Sequence, residues 1–158
     1  TMPTNEDITT AIQAGIDRVN NTFKNLSDEQ LATRVHDGDN GWTAKQILAH
    51  LAGRQRVSGM IGMAARGEAL PDMRGLDFNA INQEMVDARS DKSRDELLAE
   101  FNEVHTSLQS FSESLTDEQL AISLDLPFGT RTVKEMLLGS GGSHSIGHSE
   151  EVEQALSR

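Results

Sequence analysis

The chain has 158 residues, no cysteine and a formal charge of −11, a length suited to one domain that buries roughly two thirds of its unfolded surface. Without cysteine there is no disulfide, no thiolate metal ligand and no cysteine nucleophile. The acid excess also argues against nucleic acid as a partner, because phosphate binding needs clustered Lys and Arg.

No stretch approaches the roughly 18 apolar residues of a membrane-spanning helix, so no membrane partner is expected. The amino end, Thr1-Met2-Pro3-Thr4-Asn5-Glu6-Asp7, lacks the basic and apolar regions of a secretory leader. A cytoplasmic location is the expectation.

From Asn5 to Asn25, Ile8, Ile12, Ile16, Val19 and Phe23 recur every three or four positions and are followed by Leu26, the pattern of an amphipathic helix with Thr4 as its cap. Ser27-Asp28-Glu29-Gln30 reads as a capping box opening a short helical turn, followed by a loop over His36-Asp37-Gly38-Asp39-Asn40-Gly41. Thr43-Ala44-Lys45-Gln46 is a second capping box, and it predicts one long helix running to about Arg66. The inward stripe of that helix is Ile47, His50, Leu51, Arg54, Val57 and Ile61.

Gly67 to Gly75 reads as a loop, and Leu76 to about Arg89 as a shorter helix carrying Phe78, Ile81 and Met85. Ser93 caps a further long helix with the stripe Leu97, Phe101, Val104, Leu108, Phe111 and Leu115. His105 borders that stripe and is read as an ordinary flanking histidine. Trp42 is read as a packing anchor just ahead of a capped helix.

The second half repeats the first. Leu26-Ser27-Asp28-Glu29-Gln30-Leu31-Ala32 returns as Leu115-Thr116-Asp117-Glu118-Gln119-Leu120-Ala121, an offset of 89 (115 − 26). Thr43, Lys45 and Leu48 return as Thr132, Lys134 and Leu137 at the same offset. Two units, roughly 5–66 and 93–156 with a connection over 67–92, therefore predict one all-α domain, a four-helix bundle with approximate two-fold symmetry. The repeat also places the glycine-rich Gly139-Ser140-Gly141-Gly142-Ser143 inside the fourth long helix, where each glycine costs roughly 1 kcal/mol against alanine. Close approach of another backbone or room for a ligand would account for them, with a kink or local fraying as the alternative.

His144 and His148 lie four residues apart in that helix and so share a face. Two-fold symmetry perpendicular to the helices gives the order up, down, down, up, with the second and fourth helices antiparallel. That arrangement brings His50 level with the pair, and three imidazoles with an open position form the usual shape of a catalytic divalent metal site. Three unrelated histidines are the alternative.

The run Gly41-Trp42-Thr43-Ala44-Lys45-Gln46-Ile47-Leu48-Ala49-His50-Leu51-Ala52, with His144-x-x-x-His148 near the carboxyl end, resembles the DinB-like four-helix-bundle superfamily, which includes damage-inducible DinB proteins and thiol-dependent S-transferases. The resemblance implies an up-down-down-up bundle, often a homodimer, with a divalent metal on His50, His144 and His148. The chain departs from many relatives at Gly53-Arg54-Gln55-Arg56, where they carry an aromatic residue, and in its glycine-rich fourth helix.

Zinc or nickel is the expected metal, with iron and manganese also compatible with histidine ligands. The resemblance suggests attack of a low-molecular-weight thiol on a small electrophile, as in detoxification or stress. Metal-dependent hydrolysis at the same site is a related expectation, and a non-catalytic bundle that binds or sequesters a small molecule is the rival. Arg54, one turn beyond His50, either holds a carboxylate of the substrate or pairs with a helix acid or solvent. Glu151, three residues past His148, either orients an imidazole or accepts a proton, or it is a solvated acid.

Overall fold

Capping residues set where nearly every helix begins. In the computed structural model, which describes residues 4–36 and 41–158, Thr4, Ser27, Thr43, Ser93 and Thr116 each cap a helix and are bonded in return by the side chain three residues on. The resulting helices are α1 (Asn5–Phe23), α2 (Asp28–Leu31), α3 (Ala44–Ala52), α4 (Gln55–Ala65), α5 (Phe78–Asp87), α6 (Arg94–Glu113) and α7 (Asp117–Leu120). A hairpin of β1 (Ser123–Leu126) and β2 (Gly129–Thr132) then leads into α8 (Val133–Leu138), a π-helical segment over Gly139–Ser143, and α9 (His144–Leu156). The Asp37–Asn40 part of the expected loop and the first three residues lie outside the described residues.

Long-range side-chain bonds fix the helix directions. Thr9 meets Ser112 at 3.5 Å and Asn20 meets Asn102 at 2.7 Å, so α1 and α6 are antiparallel. Arg18 meets Glu153 at 2.6 Å while the earlier Gly15 lies against Gly141 and Ser145, so α1 and the fourth helix run parallel. Gln55 meets Glu100 at the start of α4, and Gly62 shares a groove with Leu108 further on, so α4 runs parallel to α6. This is the up-down-down-up bundle that the sequence predicts. Its core is built from the expected stripes, with Ile8, Ile12, Val19, Phe23, Ile47, Leu51, Ile61, Leu97 and Phe101 fully enclosed.

The two halves share hydrogen bonds as well as motifs. Ala44 N–H donates to Thr33 O at 2.9 Å, and 89 residues later Val133 N–H donates to Ile122 O at 2.8 Å. The antiparallel bridge Arg34–Thr43 likewise corresponds to the Ser123–Thr132 pair of the hairpin. The second half has lengthened this bridge into two short strands, closed by Pro127, Phe128 and Gly129, the last at φ 128°. Buried Leu124 and Leu126 alternate with exposed Ser123 and Asp125.

One expectation is corrected. The single helix from Thr43 to Arg66 is broken at Gly53 (ψ 46°) and Arg54 (ψ 13°), which divide it into α3 and α4. Glycine lowers the cost of leaving helical geometry, and its missing Cβ makes room for the Arg89 guanidinium, 3.2 Å from where that atom would be. Arg89 is held there by Glu100 at 2.7 Å and by the Met85 carbonyl at 3.0 Å. Gly142, 89 residues after Gly53, lies in the π-helical segment, so both halves interrupt their second long helix at the same place.

The glycine-rich stretch is continuous with its helix and lies flat against α1. A Cβ on Gly141 would stand 2.6 Å from Ile12 Cγ1, and one on Gly142 would stand 3.2 Å from Ala11 O. The missing side chains thus make room for the Ile12 side chain at Gly141 and for the α1 backbone at Gly142. The π geometry, in which His144 N–H bonds back to Gly139 O, adds a residue to the turn just before the first histidine of α9.

Candidate metal centre

The break after α3 and the π-helical segment before α9 flank a cluster of three imidazoles in the bundle. His50 enters it from the last turn of α3 and is 6% exposed. His144 and His148, both half-buried, enter from the first turns of α9. The ring centroids form a nearly equilateral triangle, 5.0 Å from His50 to His144, 5.1 Å from His50 to His148 and 4.6 Å between the last two. One ring nitrogen from each lies within 4.8 Å of the others.

Glu151 sits behind His148. Its Oε2 accepts from His148 Nδ1 at 3.0 Å and from His36 Nε2 at 2.8 Å. Committing the Nδ1 proton to the carboxylate leaves the lone pair of His148 Nε2 free to point elsewhere. Partial burial works to raise the Glu151 carboxyl, and the two imidazole bonds together outweigh it, leaving the group below the usual carboxylate range. Trp42 closes another side, its ring 4.9 Å from that of His50 and its indole N–H donating to Gln83 at 2.9 Å. A cleft of about 530 Å³ lined by His36, Trp42, Asp77 and Gln83 opens beside this wall. A larger groove of about 840 Å³ between α3 and α6 contains none of the histidines, so its size does not make it the site.

Burial drives the His50 imidazole down to about 3, with the nearby Arg54 charge acting in the same direction. Burial, then Arg54 and the other histidines, drive His144 down to about 2. Both are therefore neutral at pH 7 with lone pairs to offer. His50 Nε2 and His144 Nε2 stand 3.1 Å apart, close to the roughly 3.3 Å expected of two nitrogens each about 2.0–2.1 Å from one zinc ion. His144 Nδ1 is buried without a partner. A nitrogen-only donor set with a carboxylate behind one ring fits a divalent cation.

Arg54 lies one turn beyond His50 and donates through Nη2 to Ser140 Oγ at 3.1 Å. No carboxylate among the described residues bonds it. His105, expected to flank its stripe, is instead 1% exposed, stacked on Phe101 at 4.0 Å and bonded to the Phe101 carbonyl at 3.0 Å. The structure adds His36, Trp42 and Ser140 to the surroundings of the predicted residues. Ser140 had a signal in the sequence, since it precedes His144 by the same four residues that separate His50 from Arg54.

Residues 11–151 match the sequence profile of the DinB superfamily. The chain belongs to this superfamily. No curated protein matches it significantly, but solved structures do. YfiT from Bacillus subtilis, described as a probable metal-dependent hydrolase with an unusual four-helix bundle topology, is 20% identical at a TM-score of 0.75, over 99% of this chain and 91% of its own. A mycothiol-dependent maleylpyruvate isomerase is 17% identical at a TM-score of 0.69, over 98% of this chain and 60% of its own. The colibactin self-resistance protein ClbS, solved in complex with double-stranded DNA, is 15% identical at a TM-score of 0.75, over 100% of this chain and 99% of its own. At these identities the DinB fold is what is shared. No helix among the described residues is long and apolar enough to cross a membrane.

Proposed function

We propose that this DinB-superfamily chain is a divalent-metal-dependent enzyme that uses His50, His144 and His148 as ligands and joins a low-molecular-weight thiol to a small electrophile. The observation that carries the reading is the convergence of three imidazole nitrogens within 4.8 Å. A bound zinc or nickel ion would supply Lewis acidity sufficient to keep a thiol deprotonated near neutral pH. The chain has no cysteine, so the thiol enters as a co-substrate. Glu151 holds the His148 ring in one tautomer, and Trp42 walls off His50 from water. The similarity to a thiol-dependent isomerase supports this choice of chemistry.

Hydrolysis at the same centre is the second reading, supported by the similarity to YfiT and by the presence of a carboxylate beside the ligands. It ranks lower because Glu151 is already engaged by two imidazoles, which suits a positioning residue better than a free base. The acidic surface favours small molecules over nucleic acid as partners, and a homodimer is the assembly we propose.

The deciding experiment is elemental analysis of untagged protein beside a His144→Ala variant. The expected result is about one zinc or nickel per chain that the variant loses, followed by metal-dependent consumption of thiol when an aryl halide or epoxide is supplied. Absence of metal, with no uptake of zinc or nickel on titration, would overturn the proposal in favour of a non-catalytic binding bundle.

A further inference from the structure

Two contacts between the second and fourth long helices are stacked in layers. Because these helices are antiparallel, four residues forward on one meet four residues back on the other. His50 meets His144 at 3.1 Å, and Arg54 meets Ser140 at 3.1 Å. The guanidinium layer is thus about one helical turn, roughly 6 Å, from the histidine layer.

Arg54 differs from most of the other arginines whose partners are described, and from Arg131, which also bonds no carboxylate but lies exposed on the hairpin against the Thr130 carbonyl. Arg18, Arg66, Arg74, Arg89 and Arg94 each bond a carboxylate, of Glu153, Glu68, Asp72, Glu100 and Asp95 respectively. The chain holds 25 acids against 14 Lys and Arg, so carboxylates are plentiful, yet none of those described reaches Arg54. The side chain bonds one hydroxyl, and its Nε is sealed from solvent with no partner. Burial lowers its pKa only to about 10, so it is a full cation at neutral pH. A half-buried charge without a counter-ion is costly, and Glu151, the carboxylate bonded to the triad, is taken by His148 and His36.

We infer that Arg54 and Ser140 form a subsite for a carboxylate or similar oxyanion of a small ligand, whose other end reaches the histidine triad one turn away. The planar fork of an arginine suits an oxyanion better than a neutral group. The ligand class is a short molecule with an oxyanion at one end and a metal-binding group about 6 Å away, of which mercaptocarboxylates are the simplest example. The second anchor rests on the proposed metal reading. The oxyanion subsite does not.

The test has two arms, each run on the wild type, Arg54→Gln and Arg54→Lys. In the first, zinc-loaded protein is titrated calorimetrically with 3-mercaptopropionate and with 3-mercaptopropanol, which share the thiol and carbon chain and carry a carboxylate or a hydroxyl at the far end. The acid should bind the wild type about tenfold more tightly, the scale of one charge-assisted hydrogen bond. Arg54→Gln should lose that preference while keeping its zinc and its affinity for the alcohol, and Arg54→Lys should keep part of it. Equal binding of the two thiols by the wild type, or a preference that survives Arg54→Gln, would overturn the subsite.

In the second arm, zinc-free protein is heated with propionate or with chloride at matched ionic strength. Propionate should raise the thermal midpoint of the wild type and not of Arg54→Gln. A protein that takes up no zinc yet is stabilised by propionate through Arg54 would sink the metal reading and keep the subsite. Zinc uptake with no effect in either arm would do the reverse. Should Arg54→Gln fail to fold, the wild type and Arg54→Lys alone decide both arms.

Discussion

At the scale of single residues, the arrangement behind His148 makes the clearest statement. A ligand imidazole is useful only in the tautomer that leaves its outward nitrogen bare, and a carboxylate on the other nitrogen enforces that tautomer. Glu151 does so at 3.0 Å and is itself held by His36 at 2.8 Å. Glu151→Ala should therefore weaken zinc binding by about 10- to 100-fold, measured by competition with a chromophoric chelator. Glu151→Gln, which keeps an accepting oxygen, should weaken it less, and His36→Ala less again. If Glu151→Ala bound zinc as tightly as the wild type, the carboxylate would be a bystander.

At the scale of elements, the fourth helix joins site and core through its glycines. Gly15 of α1 lies against the fourth helix, where its Cβ would stand 2.5 Å from Gly141 O. A Cβ at Gly59 or Gly147 would meet nothing within 4 Å. Gly15→Ala and Gly141→Ala should each cost about 1–3 kcal/mol through overpacking, whereas Gly59→Ala and Gly147→Ala should each add about 0.5–1 kcal/mol by the ordinary helix preference for alanine. Urea unfolding midpoints would separate the two pairs, and a uniform response would show that the close approach has no energetic weight.

The same helices show what a sequence reveals. The capping boxes and the stripes were readable because each depends on residues three or four apart. The offset of 89 supplied the symmetry, and the symmetry supplied the meeting of His50 with His144. The break at Gly53–Arg54 was not readable, because it depends on Arg89 arriving from a different helix. The hairpin escaped for a similar reason. Its strands are four residues each and only Leu124 and Leu126 alternate inward, too little pattern to stand out from a loop. His36 stands outside the repeated blocks, and nothing local marks it as the partner of an acid 115 residues away.

At the scale of the whole molecule, buried histidines make the bundle's stability depend on pH. His105 stacks on Phe101 in the core, and burial pulls it from 6.5 to about 4 despite its bond to the Phe101 carbonyl, with the Arg54 charge adding to the fall. The unfolded chain binds a proton near pH 6.5 and the folded chain does not until about pH 4, so between these limits the unfolded state holds more protons and stability rises with pH. The contribution is complete above pH 6.5 and is lost as pH falls toward 4, at up to about 1.4 kcal/mol per pH unit and about 3 kcal/mol over the whole interval. His50 and His144 are depressed in the same direction and steepen the loss. Zinc-free protein unfolded in urea at pH 7, 6 and 5 should become progressively less stable. His105→Leu should be less stable than the wild type at pH 7 and lose less on going to pH 5, because a side chain that cannot take a proton removes its share of the slope. Parallel declines in the two proteins would mean that His105 titrates alike in the folded and unfolded chains, and that its place in the core leaves its protonation unaltered.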